Sequence, residues 1–259
     1  MNVLKVLRLV VCLTIITCSS LAQRRETPRS NQDKMEAVAA NESGVLLAKA
    51  GKYDKSAEAF ERAVKLDPEF AVAYNNLGAT YNSLGRHKEA IKLLRRALVL
   101  APDYAEAYYD LGVALQSLHR CREAIEAYRN AITLKPDFAQ AYNRMGVAFD
   151  DDGQHREAVS VYLEAIRMHP NYAEAYNNLG TSQAESGQYE QAIENFERAI
   201  KAKPELAVAY YNIGVVSLRL NRREVALRQY GLLSSRDSNL AIKLYNGIYD
   251  GKVLALHVK

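Results

Sequence analysis

The fold is decided by residues 71–104, AVAYNNLGATYNSLGRHKEAIKLLRRALVLAPDY, one copy of a unit that repeats along the chain. Glycines keep a spacing of 34 residues without a slip, at Gly44, Gly78, Gly112, Gly146, Gly180 and Gly214. Prolines follow the first five of them 24 residues later, at Pro68, Pro102, Pro136, Pro170 and Pro204. A fixed period of this length is typical of helical solenoids, so we predict one elongated body rather than several globular domains.

Each unit is predicted to form two amphipathic helices. Apolar and small residues recur at spacings of three and four, at Tyr74, Leu77, Gly78 and Tyr81 and again at Ala90, Leu94 and Ala97, which indicates one buried face on each helix. Gly85 separates the two helices, and Pro102 ends the second because proline lacks the amide hydrogen and clashes with the preceding turn. The glycine of each unit is expected to let its two helices approach closely.

This pattern is similar to the tetratricopeptide repeat, which runs W-x-x-L-G-x-x-Y, then A-x-x-x-F, then A and P. Tyrosine replaces tryptophan in five units, as in YYDLG at residues 108–112, and the second half matches at 192–204. The resemblance implies an all-α fold, a right-handed α-α superhelix (TPR solenoid) of antiparallel helix pairs with a C-terminal capping helix. The six units span residues 37–70, 71–104, 105–138, 139–172, 173–206 and 207–240.

The last unit departs from the pattern. Leu233 stands in place of the expected alanine and Ser238 in place of the proline. An apolar stripe follows at Ala241, Leu244, Tyr245 and Ile248. It predicts a capping helix over 241–249 that hides the last hydrophobic face from water. Residues 250–259 are expected to form a loose tail.

The N-terminus reads as a targeting segment. Lys5 and Arg8 precede or open an apolar run that ends at Ile16, and Ser20-Leu21-Ala22 supplies a small-x-small end. These features predict a secretory signal peptide over 1–22, cleaved before Gln23. Retention as an uncleaved membrane anchor is the alternative, although the run is shorter than the about 20 residues of a spanning helix. Residues 23–36 are expected to form a flexible basic leader.

The charge and cysteine content of the chain argue against nucleic-acid binding and against a fold held by disulfides. Removal of residues 1–22 lowers Lys plus Arg from 34 to 32 against 30 acids, so the mature chain carries +2. No nucleic-acid partner is predicted, because such binding needs a strongly basic face. Cys121 alone remains after cleavage, so the fold is held by packing without an internal disulfide. The signal peptide predicts that the protein is exported, either to the periplasm or as a secreted protein, with membrane attachment only if residues 1–22 are retained.

The chain is predicted to be a non-enzyme without cofactor or metal. It contains no phosphate loop, serine elbow or HExxH helix. His87, His155 and Cys121 share the repeat position of Tyr189, where a ring packs between helices. Residues 150–153, DDDG, lack the alternating ligands and closing glutamate of a calcium loop, and are better explained as a solvated acidic helix end.

A binding surface follows from helical geometry. At about 100° per residue, unit positions 2, 6, 9 and 13 lie opposite the buried side of each first helix, and the resemblance implies that they face the groove of the superhelix. We call this surface the groove stripe. An amide at position 6 can donate to and accept from the main chain of an extended peptide, as asparagine ladders do in similar superhelices. Asparagine as a mere solvent-facing consensus residue is the alternative. The candidate binding residues, from positions 6 and 5, are Asn76, Asp110, Arg144, Asn178, Asn212, Asn75, Asn143, Asn177, Tyr109 and Tyr211.

Charge on the groove stripe favours certain partners. Six acidic residues oppose three basic ones, so neutral or basic protein segments are favoured over acidic ones. We predict a non-catalytic scaffold for peptides or partner proteins, in bacterial cell-envelope assembly or secretion. A self-associating spacer module, or a non-catalytic regulatory subunit of an enzyme complex, are the alternatives. The oligomeric state stays open.

Overall fold

A computed structural model describes residues 31–250 and 254–256. Within these residues the chain forms thirteen α-helices and no strand, which confirms the predicted all-α fold of helix pairs. The predicted signal peptide, leader residues 23–30 and tail residues 251–253 and 257–259 lie outside the described residues. The helices are α1 Asn31–Lys49, α2 Tyr53–Leu66, α3 Ala71–Ser83, α4 His87–Leu100, α5 Ala105–Ser117, α6 Cys121–Leu134, α7 Ala139–Asp151, α8 His155–Met168, α9 Ala173–Glu185, α10 Tyr189–Ala202, α11 Ala207–Arg219, α12 Arg223–Leu233 and α13 Ser238–Asp250.

The first helix starts earlier than expected. It begins at Asn31, so the leader predicted to be flexible over 23–36 is helical from that residue onward. Asp33 lies in the first turn, where a negative charge interacts favourably with the helix dipole. Gln32 Nε2 also donates to Glu36 Oε1 at 3.2 Å, and such pairs four residues apart stabilise a helix.

The described chain forms two compact bodies, divided between Ala73 and Tyr74. In the first, α1 packs on α2, and Ser56 Oγ donates to the Gly44 carbonyl oxygen at 2.8 Å. In the second, from α5 onward, each helix packs on its partner and each pair packs on the next. The turn inside a pair uses a residue with positive φ, glycine in four units but His119 (φ 55°) and Asn221 (φ 57°) in the third and sixth.

The repeated glycines are contact points between helices. A Cβ added at Gly146 would lie 2.5 Å from Tyr162 of the same unit, closer than packed side chains tolerate. The first five units share this contact, always with the residue 16 positions later. The sixth differs from the expectation, because Gly214 meets Leu244 of α13 instead. The cause is local: Leu233 is fully buried where other units have alanine, and Tyr230 packs on Tyr245 at a ring distance of 5.6 Å.

The C-terminal region also differs from the expectation. α13 buries Ala241, Leu244 and Ile248, whereas Tyr245 is 43 % exposed. Residues 254–256 are non-helical, and Leu256 packs against the apolar clusters of both α9–α11 and α11–α13. This part of the predicted loose tail is therefore packed onto the repeats. No helix between residues 31 and 250 is both long and apolar enough to cross a membrane.

Candidate binding site

The structure divides the predicted site into two halves. At position 6, Arg144 is exposed and Asn76 and Asp110 are partly exposed. Asn178 and Asn212, at the same position of units five and six, have no exposed surface. We call units two to four the open half of the groove stripe and units five and six the closed half.

Buried amides connect unit four to unit five and unit five to unit six. Asn178 Nδ2 donates to Asn143 Oδ1 at 3.1 Å, and Asn212 Nδ2 donates to Asn177 Oδ1 at 3.0 Å. A longer contact of 3.4 Å runs from Asn177 Nδ2 to Asn178 Oδ1 and joins the two bonds. Position 5 of one unit thus bonds position 6 of the next, at a separation of 35 residues.

Burial of the asparagines in the closed half contradicts the alternative that they are solvent-facing consensus residues. Asn178 and Asn212 are not open to a partner in this conformation, and they are not solvent-facing consensus residues either. They are 0 % exposed. A buried amide costs free energy unless it is hydrogen-bonded, and the bonds that satisfy these amides join adjacent repeats. Peptide binding by these residues stays a prediction.

Asp110 occupies the equivalent position in the open half. Burial raises the pKa of this carboxyl to about 7, although a hydrogen bond from Asn75 acts to lower it, and the charge of Glu106 adds to the increase. Asn75 is 5 % exposed, and its Oδ1 has no hydrogen-bond partner within the described part of the chain. Asp110 is therefore a proton-binding group at neutral pH on the groove stripe.

The open half carries an aromatic site where the asparagine series is interrupted. Tyr109 replaces asparagine at position 5, and its ring lies 5.0 Å from Phe138 and 5.9 Å from Tyr128. Arg144, in the following unit, makes no hydrogen bond or ion pair with the other described residues, and its side chain is exposed. Tyr211, the other predicted tyrosine, is 2 % exposed and belongs to the apolar cluster of α11–α13.

Lysines outside the groove stripe compensate part of its negative charge. Lys135 Nζ lies 3.0 Å from Glu106, and Lys203 Nζ lies 2.9 Å from Glu174. Burial acts to raise the pKa of Glu106, but the hydrogen bond and charge of Lys135, with a backbone hydrogen bond, hold this pKa below its ordinary value. The surface is therefore less acidic than a count of its own residues predicts.

His155 and Asp150 belong to a hydrogen-bonded network between the two helices of unit four. Tyr162 donates its hydroxyl to Asp150 Oδ2 at 2.8 Å, and His155 Nδ1 lies 2.8 Å from Asp150 Oδ1. The Asp150 side chain is only 11 % exposed, so this residue is not the solvated helix end that the sequence predicts. Within residues 31–250, no group of three His, Cys, Asp or Glu side chains could hold a metal ion.

Models of known protein families match most of the repeat region. A tetratricopeptide repeat model matches residues 69–137 and 137–205, a second matches 177–239, and a TPR repeat model matches 44–85. The chain belongs to the tetratricopeptide repeat family. TPR proteins bind other proteins or peptides, so the chain is a protein-interaction scaffold in this broad sense. No curated protein matches the sequence.

Solved structures of TPR proteins resemble this one. The crystal structure of MamA is 30 % identical, with a TM-score of 0.57, over 62 % of this chain and 94 % of MamA. YrrB, described as a TPR protein with an unusual peptide-binding site, is 25 % identical, with a TM-score of 0.57, over 73 % of this chain and 99 % of YrrB. PilW, a type IV pilus biogenesis factor, shares the fold at 19 % identity and a TM-score of 0.74, over 81 % of this chain and 98 % of PilW.

Two features of the site escaped the sequence-based prediction. The lysines were detectable, because lysine stands at unit position 31 in only those two units whose position 2 is glutamate: Glu106 with Lys135, and Glu174 with Lys203. The packing of Leu254 and Leu256 had a weaker signal, the alternation of two leucines around Ala255. Three residues of alternation do not distinguish a packed segment from a free one.

Proposed function

We propose that this TPR protein is a non-catalytic scaffold that holds peptide segments of partner proteins on the open half of its groove stripe. The proposal rests on the exposed Arg144, which makes no hydrogen bond or ion pair with another described residue, in the same row as the partly exposed Asn76 and Asp110. Side chains held on packed helices are pre-organised, which lowers the entropy cost of binding. The likeness to YrrB, whose description names a peptide-binding site, supports the same use.

The partner segment is proposed to be neutral overall. Lys135 and Lys203 compensate Glu106 and Glu174, which removes much of the reason to favour basic segments. The exposed guanidinium of Arg144 provides five donors for a carboxylate or for main-chain carbonyls. Tyr109, whose ring packs at a tilt against Phe138, offers an aromatic surface in the preceding unit.

The place of action is proposed to be outside the cytoplasm, in bacterial cell-envelope assembly or secretion. This part rests on the basic start, apolar run and small-x-small end of residues 1–22. The intact mass of the exported protein should correspond to a chain that starts at Gln23. A full-length species confined to the membrane fraction would show that the segment is retained as an anchor.

The binding surface can be tested by affinity capture from the native compartment. Arg144→Glu reverses the exposed charge on the groove stripe and should reduce recovery of the captured partner at least about tenfold, as for a well-placed charge at an interface. Arg156→Glu is the matched control, because Arg156 is exposed in the same unit but on α8. Equal recovery with both variants would refute binding on the open half.

Self-association remains a second candidate because one surface favours it. Ile242, Tyr245 and Tyr249 form an exposed row on α13, with exposures of 59 %, 43 % and 52 %. Exposed apolar patches frequently mark interaction sites. Size-exclusion chromatography with light scattering separates the candidates: a dimer that Tyr245→Asp converts to a monomer supports the spacer module, and a monomeric parent chain removes it.

A further inference from the structure

Part of the C-terminal tail is packed onto the last repeats in an alternating manner. Leu254 lies against Gly247 of α13, where an added Cβ would clash with its side chain. Leu256 is partly buried and packs against two apolar clusters, those of α9–α11 and α11–α13. Ala255, between them, is exposed. Alternate residues on opposite sides are the signature of an extended segment, so both leucines point toward the repeats.

The clusters that receive these leucines include residues of the groove stripe. Val208, at position 2 of unit six, belongs to the cluster of α9–α11, and Val215, at position 9, to that of α11–α13. Val208 is 4 % exposed and Val215 is 1 % exposed. Asn212, between them at position 6, is 0 % exposed. All three groove positions in the first three turns of α11 are thus covered.

Residue type does not explain this burial. Val147 occupies position 9 of unit four and is partly exposed, whereas Val215 occupies position 9 of unit six and is buried. Valine at the same repeat position is therefore partly exposed in unit four and buried in unit six. Leu254 and Leu256 are described residues that pack against the buried cluster and have no counterpart in unit four.

We infer that Leu254–Leu256 is a built-in ligand of the groove stripe, bound in extended form to units five and six, and that a partner segment reaches these units only by displacing it. This inference rests on the proposed function, because the partner is taken to use the same groove stripe. It also assigns a ligand class: an extended segment with aliphatic side chains two residues apart. The apolar clusters that receive these two leucines include Val208 and Val215 of α11, and the buried amide of Asn212 lies between the two valines on the same helix.

The short connection between α13 and Leu254 determines how strongly the tail segment competes with a free segment for units five and six. Three residues separate the end of α13 at Asp250 from Leu254. Because the two are joined by so few residues, the effective concentration of the segment at its site is at least about millimolar, so a free segment of equal affinity competes poorly. Loss of the tail contact should therefore increase binding of the same segment supplied in trans.

The test uses the full chain and a fluorescein-labelled peptide, DGKVLALHVK, that copies residues 250–259. Fluorescence anisotropy gives its affinity for the parent chain, for Leu256→Asp and for Ala255→Asp. We expect Leu256→Asp to bind the peptide at least about tenfold more tightly than the parent chain. Ala255→Asp, which adds the same charge on the exposed side of the segment, should behave like the parent chain. A peptide that itself carries Leu256→Asp should bind none of them.

Equal affinity of the peptide for the parent chain and Leu256→Asp, or no binding to either, would overturn the inference. Hydrogen exchange of the unmodified chain keeps the test valid if Leu256→Asp unfolds. Saturating free peptide should then accelerate exchange in residues 250–259 while α11 keeps its protection, and unchanged exchange in the tail would contradict displacement. The proposed function fails separately: a peptide that binds as expected, while Arg144→Glu leaves partner capture unaffected, supports the tail contact and refutes the open half as the partner site.

Discussion

The open and closed halves of the groove stripe share one repeat pattern but differ in what covers it. In unit four, Arg144 is exposed and Val147 is partly exposed; in unit six, Asn212 and Val215 are buried. Repeat position therefore determines the direction in which a side chain points, whereas its exposure depends on what packs against it in each unit. A residue at a groove position is not by itself an available binding residue.

The two halves also differ in how adjacent repeats are joined. In the closed half, Asn178 and Asn212 donate to asparagines 35 residues earlier at 3.0–3.1 Å. At Tyr109 and Arg144 the corresponding pair is a ring and an exposed guanidinium, and the ring packs on Phe138 instead. The boundary between units three and four therefore lacks the buried amide contact, and the guanidinium of Arg144 is exposed there.

The largest effect is expected from removal of the amide contact. Asn212→Ala takes away the donor to Asn177 Oδ1 and leaves that buried oxygen without this bond, at a cost of about 1–3 kcal/mol. Asn76→Ala is the matched control, the same substitution at the same repeat position in the open half. Because Asn76 is partly exposed, water can replace the contacts of its amide, so its replacement should cost clearly less than that of Asn212.

Urea unfolding followed by circular dichroism measures both losses. A clear excess for Asn212→Ala would support its role as a link between repeats. Equal losses for the two variants would mean that burial of Asn212 has no structural consequence, and the contrast between the halves would fail at this position.

The fold was more predictable than the site. Gly78, Gly85 and Pro102 define the unit because a close helix contact, a positive φ and a missing amide hydrogen each restrict residue type. Helical geometry predicted which residues lie on the groove stripe. It did not predict which of them are buried, since Leu256, which packs near the stripe in unit six, lies outside the repeats. The partner of Gly214 was also unpredictable, because it depends on how Leu233 displaces the packing of unit six.

A smaller effect is expected from Asp110, and it depends on pH. Folding raises the pKa of this carboxyl from its ordinary 3.8 to about 7 through burial, so the folded state binds more protons than the unfolded state between these values. Stability should therefore fall as pH rises from about 4 to 7. Asp110→Asn cannot ionise, and it should raise the thermal midpoint at pH 8 by about 2–4 °C, the shift that 1 kcal/mol produces at this size.

At pH 4 the same variant should unfold at nearly the same temperature as the parent chain. Asp103→Asn, an exposed aspartate in the loop before α5, serves as the control and should shift neither midpoint. A gain for Asp110→Asn that is equal at pH 4 and pH 8 would contradict a partly buried carboxyl with a raised pKa in the open half.

The smallest effect on stability is expected from the compensating lysines. Lys203→Ala removes the 2.9 Å ion pair with Glu174, and a partly exposed pair contributes less than about 1 kcal/mol. The combined variant Lys135→Ala with Lys203→Ala should nevertheless bind a lysine-rich decapeptide about threefold more tightly at low salt. The gain should vanish at high salt, because exposed charges are screened.

Lys201→Ala is the matched control for this measurement, since Lys201 is exposed on α10. Binding of the decapeptide that is unchanged in the combined variant would show that Glu106 and Glu174 do not face the bound segment.

The most direct test of the central claim compares two valines at the same repeat position. Val147→Cys and Val215→Cys are introduced separately with Cys121→Ser, and the rate of maleimide labelling at each new cysteine is followed by peptide mapping. We predict that position 215 reacts at least about tenfold more slowly than position 147, and that Leu256→Asp brings the two rates together. Equal rates in the parent chain, or slow labelling at 215 that persists with Leu256→Asp in a folded chain, would contradict a groove stripe closed by its own C-terminal segment.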